Sequence, residues 1–198
     1  MKRLLITGFE PFGTDETNSS LEAVMSLPSE VGGYALTKLC LPVVFGEAAG
    51  RAIREAESLA PEAILCIGQA RGREAITPEM VAVNLRYADI PDNGGNLPKD
   101  ELVLTGGDSA YFSTLPARKM AEAIERAGIS SRASLSAGAY VCNDLFYTLL
   151  AHYRDTGVRV GFIHVPVSTD SEGGAYMEKD KIVRGLIAAI EAIDSAES

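Results

Sequence analysis

The sequence predicts an α/β domain whose mostly parallel sheet is covered on both faces. Two observations carry this. Short apolar runs of strand length alternate along the chain with longer segments of helical spacing. The helix-like segments stop at Pro28, Pro61, Gly128 and Gly157, residues that break or cap helices. With 198 residues, 46% of them hydrophobic, the chain can bury one sizeable core.

The elements follow in order. Residues 3–9 read as a first strand, because the apolar stretch after Lys2 and Arg3 is too short for a secretory signal. A helix is expected over 20–27, a strand over 35–44 and a helix over 46–60. Strand 63–68 carries Ile64, Cys66 and Ile67, and 81–87 is read as another strand. Residues 89–111 are rich in Gly, Asn, Asp and Pro and form a long loop. Helix 116–127 follows. Residues 133–140 are small, apolar and loosely alternating, like a buried strand, and run into helix 142–155, where Leu145, Phe146, Leu149 and Leu150 have helical spacing. Strand 160–165, an irregular stretch 168–176 and helix 179–193 complete the chain. No repeat or linker interrupts it, so residues 1–198 are expected to form a single domain.

The net charge of −9 argues against nucleic acid or an anionic membrane surface as a partner. No apolar run is long enough to span a bilayer. The three cysteines, Cys40, Cys66 and Cys142, include no C-x-x-C pair, which points to a reducing, cytoplasmic setting without disulfides. With two separated histidines and no cysteine pair, no metal site is expected.

Cys142 stands where the expected strand 133–140 meets helix 142–155. A thiol in the first helical turn feels the positive end of the dipole and unpaired N–H groups, which favour a thiolate and can hold an oxyanion. The competing reading is a small buried hydrophobe. A nucleophilic thiol needs a base. His152 lies ten residues further along the same helix, roughly 15 Å away along its axis, and cannot reach the sulfur. His164 lies near the end of strand 160–165, where sites collect in open α/β sheets. Glu79, after Thr77 and Pro78, is either a solvated loop charge or the carboxylate that orients the imidazole. Arg73 either donates to an oxyanion or substrate carbonyl, or pairs with Glu74 or Glu79.

Five ordered motifs extend this pattern: Thr-Gly-Phe-Glu-Pro-Phe-Gly at 7–13, Gly-Gln-Ala at 68–70 with Ile-Thr-Pro-Glu at 76–79, Val-Asn-Leu at 83–85 with Ile-Pro-Asp-Asn at 90–93, Ala-Gly-Ala-Tyr-Val-Cys-Asn at 137–143, and Phe-Ile-His-Val-Pro at 162–166. On these the chain resembles the cytosolic pyroglutamyl peptidases over nearly its whole length. The resemblance implies an α/β/α sandwich that removes N-terminal pyroglutamate from peptides, without a cofactor, as a homotetramer or homodimer. It implies Cys142 as nucleophile, His164 as base, Glu79 as third member and Arg73 near the oxyanion. The chain departs at Arg71, where the family usually has glycine, at Met80, where it has a basic residue, and at Ser19, where proline often follows Asn18. If the glycine serves a positive φ, Arg71 is strained.

Pyroglutamate is a neutral lactam, so its pocket needs apolar walls and a few hydrogen bonds. Phe9 and Phe12 are placed to sandwich the ring, Val141 to complete the wall, and Asn18 and Gln69 to serve as amide partners. Two other readings of the same scaffold are a nucleoside phosphorylase or hydrolase-like enzyme and a non-catalytic pyroglutamate-binding protein.

Overall fold

In the computed structural model, which describes residues 1–168 and 175–194, the chain opens on β1 (Lys2–Phe9) and α1 (Ser19–Ser26), then β2 (Glu30–Val31), β3 (Tyr34–Leu41), α2 (Glu47–Leu59) and β4 (Ala63–Gln69). Next come β5 (Thr77–Glu79), β6 (Val81–Val83), β7 (Ala110–Phe112), α3 (Ala117–Arg126), α4 (Val141–Tyr153), β8 (Arg159–Val165) and α5 (Lys179–Glu191). One sheet has the order β2-β3-β1-β4-β8-β5. β3, β1, β4 and β8 run parallel, and β2 and β5 close the two edges antiparallel. β6 and β7 pair separately.

The long apolar strands serve two cores at once, because successive side chains point to opposite faces. Leu4, Ile6, Leu65, Ile67, Ile163 and Val165 face α1, α3 and α5. Leu5, Phe9, Ile64, Cys66, Val160 and Phe162 face α2 and α4. The result is the three-layered α/β architecture that the alternation predicts.

Four expectations change. Residues 133–140 are not a strand. They run beside β5 through isolated bridges, Glu79 to Ser134 and Ile76 to Ser131, and Gly138 takes φ +78°, which breaks an extended path. Their alternation buries no continuous face, since Leu135 is 69% exposed. The strand expected over 81–87 stops at Val83, because the Asn143 side chain then takes over its pairing: Val83 N–H donates to Asn143 Oδ1 at 2.9 Å, and Asn143 Nδ2 donates to the carbonyls of Val83 and Leu85. β3 ends at Leu41, before Pro42, which has no N–H to extend a ladder. Glu79 lies in a strand, β5, rather than a loop. The expected loop 89–111 is largely irregular, although β7 begins inside it. Residues 169–174 of the irregular stretch 168–176 lie outside those described.

Candidate active site

The carboxyl ends of the parallel strands β4 and β8 bring Gly68 and His164 side by side. β8 is inserted between β4 and β5, with Gly68 opposite His164 on one side and Thr77 opposite His164 on the other. Glu79 is fully buried, and its Oε1 lies 2.7 Å from Nδ1 of His164, which is 5% exposed. Arg73 donates to the same Oε1 at 2.6 Å, to the Thr77 hydroxyl, and to the Ser136 carbonyl at 3.0 Å. Of the two alternatives for Arg73, the structure displays the pairing with Glu79, and its guanidinium holds the 134–138 loop against β5.

Cys142 is the second residue of α4, whose N-terminus carries no side-chain cap. That leaves the first-turn N–H groups without a capping acceptor. The next two residues clamp the helix start. Asn143, fully buried, bonds the end of β6, and Asp144, also fully buried, accepts from Arg86 Nε at 2.6 Å and from Gly46 N–H at 2.8 Å. Sequence reasoning passed over both. The signal was there: two short polar residues in the first turn of an otherwise apolar helix.

The electrostatics set the protons. Burial raises the Glu79 carboxyl, but the hydrogen bond and charge of His164, with Ser134 and Arg73, hold it below its ordinary value. Burial lowers the His164 imidazole against the opposing pull of Glu79. Burial pushes the Cys142 thiol up to about 12, and the Glu79 charge and Cys66 add to it while Arg73 opposes. The resting site therefore holds an ionised Glu79, a neutral His164 and a protonated thiol. An ionised Glu79 can only accept, so Nδ1 carries the imidazole proton and Nε2 is the free base.

A cavity of about 290 Å³ opens beside Cys142. All five residues expected to contact substrate line it: Phe9, Phe12, Asn18, Gln69 and Val141. Val43, Ile90 and Tyr140 complete its apolar wall, and Phe12 meets Tyr140 edge-on at 5.5 Å. The two amides that line the cavity also bond the framework. Asn18 caps α1, accepting from Ser20 N–H at 3.0 Å and donating to the Glu10 carbonyl. Gln69 Oε1 accepts from the Ser19 N–H and hydroxyl at 2.8 and 2.9 Å, and its Nε2 donates to Asp15. Ser19 thereby supplies an N–H that proline lacks, and its hydroxyl shares its one proton between Gln69 Oε1 and the Pro166 carbonyl at 2.8 Å.

Arg71 is not strained, because the positive φ (+85°) falls on Gly72. It bonds both oxygens of Asp15 at 2.7 and 2.8 Å on the cavity rim. Met80 lines a different, apolar cavity with Phe112 and Leu115. His152 is half exposed and remote from the site, 4.0 Å from Glu57 on α2. Among the described residues no cluster of His, Cys, Asp or Glu is disposed to hold a metal.

The pyroglutamyl peptidase family model matches residues 2–196. The chain belongs to this family. A pyrrolidone-carboxylate peptidase of Lactobacillus helveticus is 41% identical over 96% of this chain and 97% of the relative. One of Vibrio parahaemolyticus is 42% identical over 100% and 95%. Among solved structures, the pyroglutamyl peptidase I of Bacillus amyloliquefaciens superposes with a TM-score of 0.94 at 37% identity, covering 100% of this chain and 99% of that one. The pyrrolidone carboxyl peptidase of Thermococcus litoralis gives 0.93 at 32% identity, over 98% and 93%. Membership makes the chain a cysteine omega peptidase, and the cavity beside Cys142 is the place to look for its substrate.

Proposed function

We propose that the chain hydrolyses the bond after an N-terminal pyroglutamyl residue, with Cys142 as nucleophile, His164 as general base and acid, and Glu79 as the charge behind the imidazole. The observation that carries this is the buried 2.7 Å pairing of His164 with Glu79, with His164 opposite Gly68 in the sheet and the Cys142 sulfur beside Gly68. Sγ attacks the pyroglutamyl carbonyl carbon as its proton passes to Nε2 of His164. With the thiol held protonated at rest, transfer and attack occur together. The N–H groups at the start of α4 face the developing oxyanion. The imidazolium then returns its proton to the leaving amine, and the C–N bond breaks to leave a thioester and a free peptide. Water, activated by the same nitrogen, releases pyroglutamate and restores the thiol.

Arg73 supports this by fixing Glu79. Phe9, Phe12 and Val141 supply the apolar walls for the lactam ring, and Asn18 and Gln69, which line the same cavity, serve as amide partners for the lactam or the peptide backbone. The reading extends to one catalytic domain over residues 1–198, acting in the cytoplasm, with its three cysteines free. No helix among the described residues is long and apolar enough to cross a membrane. A homotetramer or homodimer fits the exposed Phe112 beside the apolar cavity at Met80.

Release of chromophore from a pyroglutamyl-arylamide, with and without alkylation of Cys142, tests the proposal. A nucleoside-directed enzyme would release none and would keep its own activity after alkylation. A binding protein would retain the substrate without turnover.

A further inference from the structure

Gly68 lies in β4, and its backbone is ordinary extended chain rather than the left-handed region that calls for glycine. Its lack of a side chain has another cause. A methyl carbon built there would stand 2.9 Å from Sγ of Cys142, and 2.8 and 3.0 Å from Cζ and Cε1 of Phe162. Non-bonded heavy atoms settle at about 3.5–4.0 Å. Cys66, Gly68, Phe162 and His164 share one face, because side chains two apart in a strand point the same way and these two strands pair Cys66 with Phe162 and Gly68 with His164. That face carries α4, since Cys66 and Phe162 pack in one core with Leu145 and Phe146. The sulfur thus occupies the notch that a side chain at position 68 would fill, one strand over from His164. Phe162 walls the notch, and its ring packs against those of Phe146 (5.7 Å) and His164 (4.8 Å).

We infer that Gly68 is a positioning residue: the empty place of its side chain is the seat of the Cys142 sulfur and sets the thiol against the imidazole. The inference rests on the peptidase reading proposed above, but concerns where the thiol sits as well as what it does. Restoring ordinary contact to an added methyl moves the sulfur by a little under about 1 Å, a misplacement that costs on the order of 10²-fold in rate.

The test is Gly68→Ala, with turnover of a pyroglutamyl-arylamide, thermal unfolding, and the rate at which iodoacetamide alkylates Cys142, read by mass on the peptide that contains it. The expected result is kcat lower by about 10²-fold with KM within about threefold, since none of the atoms nearest the added methyl belongs to Phe9, Phe12 or Val141. Alkylation should slow about tenfold, because the half-buried thiol loses its base. A second variant separates the two clashes. Phe162→Leu makes room on the ring side only, so Gly68→Ala/Phe162→Leu should remain at least tenfold below Phe162→Leu alone. That comparison also decides the matter if Gly68→Ala alone does not fold. Turnover of Gly68→Ala within threefold of the parent, or recovery of the double variant to the level of Phe162→Leu, would overturn the seat. If the parent cleaves no pyroglutamyl-arylamide, the peptidase reading fails instead, and the alkylation rates still decide the role of Gly68: equal rates refute it.

Discussion

Replacing Glu79 by glutamine keeps the shape of the site and removes one charge, which makes Glu79→Gln the sharpest probe of the triad. Glu79 is fully buried, and its Oε1 lies 2.7 Å from His164 Nδ1 and 2.6 Å from Arg73. In the resting site the imidazole is neutral, so the variant loses mainly the stronger, charge-assisted character of these bonds. In the transition state the imidazole becomes a cation, and the carboxylate charge acts on it across roughly 4 Å. At an effective dielectric constant of about 20 that attraction is on the order of 4 kcal/mol. Allowing for the hydrogen bond that the amide oxygen retains, a loss of about 3–4 kcal/mol in the barrier corresponds to a 10²–10³-fold fall in kcat/KM. The assay is arylamide hydrolysis over a pH series, beside Glu191→Gln as a surface control. Two directions come with it. Glu79 raises the imidazole, so removing it moves the acid limb of the activity profile, where His164 protonates, to lower pH. Glu79 also raises the thiol, so alkylation of Cys142 should set in at lower pH in the variant even as turnover falls. A variant within threefold of the parent, or an alkylation profile moved to higher pH, would refute this account of the charge.

Further outcomes follow from the same geometry. Cys142→Ala should abolish turnover with the fold intact, whereas Cys40→Ala should stay active; Cys66→Ala should keep activity and lose about 1–2 kcal/mol of stability, measured by urea unfolding, because Cys66 is fully buried. His164→Ala should cost at least 10²-fold more activity than His152→Ala in the same arylamide assay, and comparable losses would mean that the wrong histidine has been assigned. Glutamyl-arylamide should go uncleaved, because its ammonium would enter an apolar wall, and Phe12→Ala should raise KM for the pyroglutamyl substrate through loss of ring contact. Asp194, held down to about 2 against the effect of its burial by Lys2, Arg159 and Tyr34, contributes stability that is present above about pH 4 and lost as pH falls through 2. At 33% side-chain exposure its share is under about 1 kcal/mol, and Asp194→Asn should flatten the acid end of the stability curve by that amount.

The parallel strands and the five helices among the described residues were legible, because apolar runs of strand length and the Pro and Gly stops are local signals. β5 was not, since Thr-Pro-Glu carries no strand pattern. An edge strand tolerates its proline, and the ladder comes from β8 far along the chain. Residues 133–140 misled in the opposite direction: their alternation looks like a strand, but the turn at Gly138 and the exposed Leu135 decide otherwise. At the site, Cys142 and His164 could be singled out because each had few rivals in the composition. Glu79 could be named but not placed, as its burial depends on β8. The framework bonds of Asn18 and Gln69 were hidden because an amide's partners are fixed by tertiary structure, here the start of α1 and the residues beside it. Asn143 and Asp144 were hidden by the cysteine next to them.

The position of β8 also governs when the protein can first act. β4 and β5 are neighbours in the chain but are separated in the sheet by a strand made about ninety residues after β4. As synthesis proceeds from the N-terminus, β1, β3 and β4 can pair early, and α4, with its thiol, follows before β8. β5 then lacks its partner β8 and the thiol has no imidazole, because one late strand supplies both. A ribosome-bound chain that stops short of residue 164 thus carries a nucleophile without its base, and the growing polypeptide is chemically silent until its final quarter has emerged.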